Sequence, residues 1–246
     1  MKKLLILPLV LSILTLTAFS SSPVFNWGLN PNTKAQTPEP PKGGAELLKK
    51  YNSLFIADET QKTVYLTFDL GYEAGHTGAV LDILKTNNIK AIFLLCGNYL
   101  KETELITRMI TDGHTIGNHT NHHKDLVKLS HTDMKRDISE FTDMFSAKHP
   151  NHTLKHFRPP SGRFNEAVLK EVQSQNMKTI MWSGAIKDWG KSPIDATANA
   201  NRVTSRIHPG AILLFHITNS GMPKMLELLI PQIMEKGYTF GDAGKL

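Results

Sequence analysis

The chain has 246 residues, 40% hydrophobic and 20% charged, which excludes a disordered protein and leaves room for one large α/β domain plus an extension. A single cysteine excludes an intramolecular disulfide framework. The formal charge of +6 suits an anionic partner, but no block of Arg and Lys interleaved with aromatics points to nucleic acid.

The chain opens with Met1, Lys2 and Lys3, runs apolar over residues 4–19, and continues into Ser20, Ser21, Ser22 and Pro23. A basic start, a short apolar core and small residues beyond it form a secretory signal over residues 1–22. The apolar run is shorter than a usual membrane span, so membrane contact rests on this segment alone, if it stays uncleaved as an anchor. No cysteine lies at its end, which excludes lipidation there. Removing Lys2 and Lys3 with the signal takes the charge from +6 to +4, because residues 1–20 contain no acid. An exported protein is expected, working outside the cytoplasmic membrane. Residues 23–61 read as a linker or wrapping arm, with Pro38, Pro40, Pro41, Gly43 and Gly44 followed by a short helix over 45–51.

From Lys62 onward strands and helices alternate. Strands are expected over 64–68, 91–96, 115–118, 156–158, 179–183 and 211–216, and helices over 77–87, 101–112, 132–148, 165–176, 194–207 and 223–236. Gly113, Gly210 and Gly237 fall where helices should stop. Such alternation means a parallel sheet, open or closed into a barrel. Cys96, inside an apolar run, reads as a buried and inert thiol.

The strand ends carry Asp69, His119, Arg158, Ser183 with Asp188 beyond it, and His216. Each alone reads equally well as a cap or a satisfied polar group. Together, delivered to one rim by successive strands, they form the signature of a barrel active site. His119 and His123 are spaced i,i+4, so a helical turn puts both imidazoles on one face, a spacing that suits two ligands of one divalent metal. His122 breaks that spacing and reads as solvated or supporting.

These residues resemble the polysaccharide deacetylases with a NodB homology domain, carbohydrate esterase family 4, over residues 62–246. The family motif Thr-Phe-Asp-Asp-Gly is similar to Thr67-Phe68-Asp69-Leu70-Gly71, and His-Ser/Thr-x-x-His to His119-Thr120-Asn121-His122-His123. Arg-Pro-Pro-Tyr-Gly is similar to Arg158-Pro159-Pro160-Ser161-Gly162, the motif ending Asp-Trp to Asp188-Trp189, and Leu-x-His to Leu214-Phe215-His216. The resemblance implies a distorted (β/α) barrel with fewer units than the eightfold type, and metal-assisted removal of acetyl from an N-acetylated sugar. It implies Asp69 as general base, Arg158 as the partner that keeps it ionised, and His119 and His123 as ligands of a divalent Zn, Co or Mn ion. It further implies the Ser161 backbone N–H as oxyanion donor, His216 as general acid oriented by Asp188, and Trp189 and Leu214 as walls of the acetyl pocket.

The main departure is Leu70, where the family has a metal-binding Asp; Glu73, three residues on, is a candidate replacement donor, but an exposed helix-starting residue is the reading to prefer. Phe68-Asp69-Leu70-Gly71-Tyr72-Glu73, with the run from Trp182 to Trp189, resembles the branch that deacetylates N-acetylmuramic acid on the way to muramic δ-lactam in spore cortex. That implies action on peptidoglycan glycan strands at the cell wall or spore envelope; separately from the resemblance, a monomer is expected. The alternatives are a deacetylase of N-acetylglucosamine in peptidoglycan or chitin oligomers, and an inactive wall-binding protein.

Overall fold

The structure, a computed structural model, describes residues 23–28, 35–190 and 192–246; the expected signal segment lies outside them. In chain order the elements are β1 (Phe25–Asn26), α1 (Gly44–Lys50), β2 (Thr63–Leu70), α2 (Thr77–Thr86), β3 (Ile92–Leu95), α3 (Thr103–Thr111), β4 (Thr115–Asn118), α4 (His131–Lys148), β5 (His156–Phe157) and β6 (Arg163–Phe164). There follow α5 (Glu166–Ser174), β7 (Lys178–Thr179), β8 (Gly184–Ala185), α6 (Ala196–Arg206), β9 (Ile212–His216), α7 (Met222–Glu235) and β10 (Thr239–Phe240). Helix starts are set locally. Ser130, Asn165 and Asp195 each accept a backbone N–H from three residues on, at the N-termini of α4, α5 and α6. Gly113 and Gly237, both at positive φ, follow α3 and α7 as expected. Gly210 does not end α6, which stops at Arg206; its left-handed turn leads into β9, and a Cβ there would lie 2.8 Å from the Ala57 carbonyl oxygen.

The main sheet runs β7-β5-β4-β3-β2-β9-β8, with β10 added against the start of β2, and every pairing in it is parallel. The expected strand over 179–183 is divided. Lys178 and Thr179 pair with β5, whereas Gly184 and Ala185 pair with β9. One continuous segment thus joins the two ends of the sheet and curls it into the distorted (β/α) barrel. The helices cover its outer face.

Strand β2 shows why this matters for chemistry. Side chains alternate across a strand with period two. Leu66, Phe68 and Leu70 enter the apolar core, where Phe68 stacks on Phe93 with centroids 5.1 Å apart. Thr67 and Asp69 fall on the other face and both meet Arg158. The residues expected to form an arm contribute to this same core. Phe25, Trp27 and Leu48 are buried, β1 pairs with β6, and Leu54 and Ile56 bridge to Ile180 and Ala211. No helix among the described residues is long and apolar enough to cross a membrane.

Candidate active site

Asp69 and His216 are register partners on the neighbouring strands β2 and β9, so the parallel ladder itself sets them side by side at the carboxyl end of the barrel. A cavity of about 850 Å³ opens there, lined by Asp69, His119, His123, Ser161, Trp189, Leu214 and His216 among others. The structure therefore gathers around one cavity residues that span the chain from position 69 to position 216. Arg158 lies beneath it, and Asp188 behind His216.

Arg158 is fully buried, and its guanidinium meets four acceptors. Nη1 donates to Asp69 Oδ1 at 2.8 Å, Nη2 to Thr67 Oγ1 and the Met181 carbonyl at 3.0 Å each, and Nε to the Ile180 carbonyl at 2.8 Å. Burial works against ionisation of Asp69, but Arg158, with His119 and His216, outweighs it and holds the carboxyl below the usual aspartate value. After β5 the chain leaves through Pro159 and Pro160 into Ser161, a non-glycine residue in the left-handed region at φ 55°. Gly162 follows, where a Cβ would sit 2.5 Å from the Trp182 ring. Trp27 meets the same corner, donating from Nε1 to the Trp182 carbonyl at 2.9 Å.

The opposite pair is His216 and Asp188. The His216 ring Nδ1–H donates to Asp188 Oδ1 at 2.9 Å and its backbone N–H to Oδ2 at 2.6 Å. Asp188 is fully buried. Burial pulls the His216 pKa down, yet the Asp188 bond and charge, helped by Asp69, raise it above the ordinary histidine value. This leaves Nε2 as the ring nitrogen not engaged by Asp188, the one that gains a proton when the imidazole is protonated. Trp189, half exposed, sets its ring edge-on to His216 with centroids 5.3 Å apart.

His119 and His123 come together by a different route from the one expected. Residues 119–123 form no helical turn. Thr120 and His123 adopt left-handed backbone, and the His123 N–H closes the loop on Thr120 Oγ1 at 2.9 Å. The buried Asn118 side chain anchors the loop from below, accepting the Thr120 N–H and donating to the Ile138 carbonyl. The two rings meet edge-on at 4.9 Å. His119 Nδ1–H donates to the Arg158 carbonyl at 2.8 Å, which fixes the tautomer and turns Nε2 toward Asp69 Oδ2, 3.6 Å away. Burial lowers the His119 pKa to about 4, so the ring is neutral and its Nε2 lone pair is available to a metal. His122 turns to the buried Asp137.

Glu73 does not make good the donor that Leu70 lacks. Leu70 is fully buried in the apolar core. Glu73 caps α2: its carboxylate accepts the N–H groups of Gly75, His76 and Thr77 and the hydroxyls of Thr77 and Tyr99. Its lone pairs are committed there, and it is not the third donor. The sulfur of Cys96 is the nearer group: among the described residues Cys96, His119 and His123 place one donor atom each within 4.8 Å of one another. Donor chemistry of this kind fits a divalent transition metal. Sequence reasoning also missed Thr67, which accepts from Arg158 and donates to the Leu213 carbonyl at 2.8 Å. Its signal was the i,i+2 spacing to Asp69.

A family profile described as polysaccharide deacetylase matches residues 57–180. The chain is 34% identical over 220 residues to the peptidoglycan-N-acetylmuramic acid deacetylase PdaA of Bacillus subtilis, covering 87% of this chain and 82% of that protein. The solved structure of that PdaA, a family 4 carbohydrate esterase, aligns with a TM-score of 0.83 at 33% identity, over 88% of this chain and 94% of the other. A peptidoglycan-N-acetylglucosamine deacetylase of Bacillus cereus is 32% identical over 198 residues, 78% of this chain and 71% of that protein. A pseudoenzyme of carbohydrate esterase family 4 from Bacillus anthracis aligns with a TM-score of 0.73 at 29% identity, over 79% of this chain and 68% of the other. The shared barrel, the profile match and the extent of these identities lead to one conclusion: the chain belongs to the polysaccharide deacetylase family.

Proposed function

We propose that this protein hydrolyses the N-acetyl group of N-acetylmuramic acid in peptidoglycan, a step toward muramic δ-lactam in spore cortex. The observation that carries the reading is the pairing of Asp69 with Arg158 and of His216 with Asp188 on adjacent strands facing one cavity. A carboxylate whose ionised form is favoured beside an imidazole whose protonated form is favoured is a base and an acid with pKa values pushed apart, as amide hydrolysis requires. Water attacks the acetyl carbonyl carbon while Asp69 takes its proton. The backbone N–H at Ser161 stabilises the oxygen that gains charge. His216 Nε2 then gives its proton to the nitrogen as the C–N bond breaks, releasing acetate and a free amine. His119 and His123 would hold a divalent Zn, Co or Mn ion, which when bound supplies Lewis acidity toward the acetyl oxygen. Trp189 and Leu214 wall the space for the acetyl methyl.

Similarity to the B. subtilis muramic acid deacetylase supports the choice of sugar, and the net positive charge suits an anionic wall polymer. The protein then acts as an exported monomer on glycan strands, outside the cytoplasmic membrane. The second reading, N-acetylglucosamine as the target, is favoured by the 32% identity to the B. cereus enzyme. A purely wall-binding protein would need neither the base nor the acid. Mass spectrometry of muropeptides before and after treatment with purified protein and divalent metal tests the proposal. Loss of acetyl from muramic acid residues is expected; loss from glucosamine alone selects the second reading, and unchanged muropeptides reject both.

A further inference from the structure

The two histidines at the rim need a further protein donor if they are to hold a transition metal firmly, because structural and catalytic zinc sites take at least three. Leu70 offers no donor atom and lies in the core, and Glu73 is spent on the start of α2. Cys96 stands immediately after β3, its backbone N–H donating to the Leu70 carbonyl at 2.9 Å. It therefore occupies the rim next to the end of β2, and it is nearly fully buried. Its sulfur lies within 4.8 Å of a ring nitrogen of both His119 and His123.

The neighbouring backbone holds these groups together. The Gly97 N–H donates to the carbonyls of Thr120 and Asn121, at 3.1 Å each, which ties the turn after β3 to the histidine loop. A Cβ at position 97 would lie 2.8 Å from the Asn121 backbone carbonyl oxygen, too close for any residue but glycine. The His119 tautomer is fixed with Nε2 free, as a ligand requires.

We infer that Cys96 is the third protein ligand of a His₂Cys metal centre formed with His119 and His123. The inference rests on the functional reading given above, since it completes the metal site which that reading uses. From the bond lengths of tetrahedral zinc, donor atoms in a filled site stand about 3.3–3.6 Å apart. Closing the present cluster requires shifts on the order of 1 Å, and His123, exposed at the mouth, has the freedom to supply them. A soft sulfur ligand makes the centre selective: Zn²⁺ and Co²⁺ bind in preference to Mn²⁺.

Cobalt reports the ligand directly. Purified protein stripped of metal is titrated with Co²⁺ and followed by absorption spectroscopy. A near-ultraviolet thiolate-to-cobalt charge-transfer band is expected, rising with the visible d–d bands to one cobalt per chain. Cys96→Ser should lose the charge-transfer band and bind Co²⁺ at least about tenfold more weakly, with Mn²⁺ affinity much less affected. Visible bands without the charge-transfer band in the unaltered protein would overturn the inference, and so would no cobalt binding at all. That first measurement decides the matter even if the serine variant does not fold. The functional reading fails separately, as unchanged muropeptides from protein that shows the band.

Discussion

Replacing Arg158 by methionine tests the electrostatic arrangement of the site at its deepest point. The guanidinium is fully buried, and its loss leaves Asp69 charged, 7% exposed and without its 2.8 Å partner. Removing one member of a buried ion pair costs about 3–5 kcal/mol, because the remaining charge stays desolvated. The carbonyls of Ile180 and Met181 also lose their donor, at about 1–3 kcal/mol for each group left unsatisfied, so the upper end of the range is expected. For a domain of this size that lowers the melting temperature by roughly 6–20 °C. Urea and thermal unfolding followed by circular dichroism measure it. The double variant Asp69→Asn with Arg158→Met leaves no unpaired charge, so its loss should be clearly smaller than the sum of the two single losses. Strict additivity, or an Arg158→Met protein within about 1 kcal/mol of the parent, refutes the buried-pair argument.

Asp69→Asn should nearly abolish turnover of muropeptides while leaving their binding intact, since it removes a group used only in the transition state; retained turnover removes Asp69 from the mechanism. His216→Ala should lower kcat by a factor of roughly 10²–10⁴, the range of general acid–base catalysis. The pH profile of kcat/KM should be a plateau between two limbs. The active form has Asp69 ionised and His216 protonated, so activity rises as pH climbs through the depressed Asp69 value below 3.8 and falls as pH passes the raised His216 value above 6.5. Asp188→Asn should move the alkaline limb downward, and an unmoved limb would show that Asp188 does not set the His216 proton affinity. A protein beginning at Thr60 should be strongly destabilised, because it lacks Phe25, Trp27 and Leu48, each buried at about 1.5–3 kcal/mol; an unchanged urea midpoint would mean the amino-terminal arm is dispensable.

Much of this architecture is local and so was legible in the residues themselves. The period-two run ending in Asp69, the capped helices begun by Ser130, Asn165 and Asp195, and the alternation of strand and helix follow from short-range sterics and hydrogen bonding. That alternation alone sends successive strand ends to one rim, which is why Asp69, His119, Arg158 and His216 were legible as candidates for a shared site. The rest depends on groups far apart in the chain. Whether residues 178–185 make one strand or two is decided by β5 and β9 competing for their backbone groups, and the barrel closes where the segment changes partner. Glu73 has one set of lone pairs, and the approach of Tyr99 and the start of α2 determines that they are used there. His119 and His123 meet through two left-handed residues held by Thr120 and Asn118, a loop geometry that i,i+4 spacing does not encode. Cys96 looks inert inside its apolar run, and only the stitching of Gly97 to Thr120 and Asn121 brings its sulfur to the histidines. Contacts of this kind depend on how two distant segments pack against one another, and a single sequence records each segment without recording its neighbour.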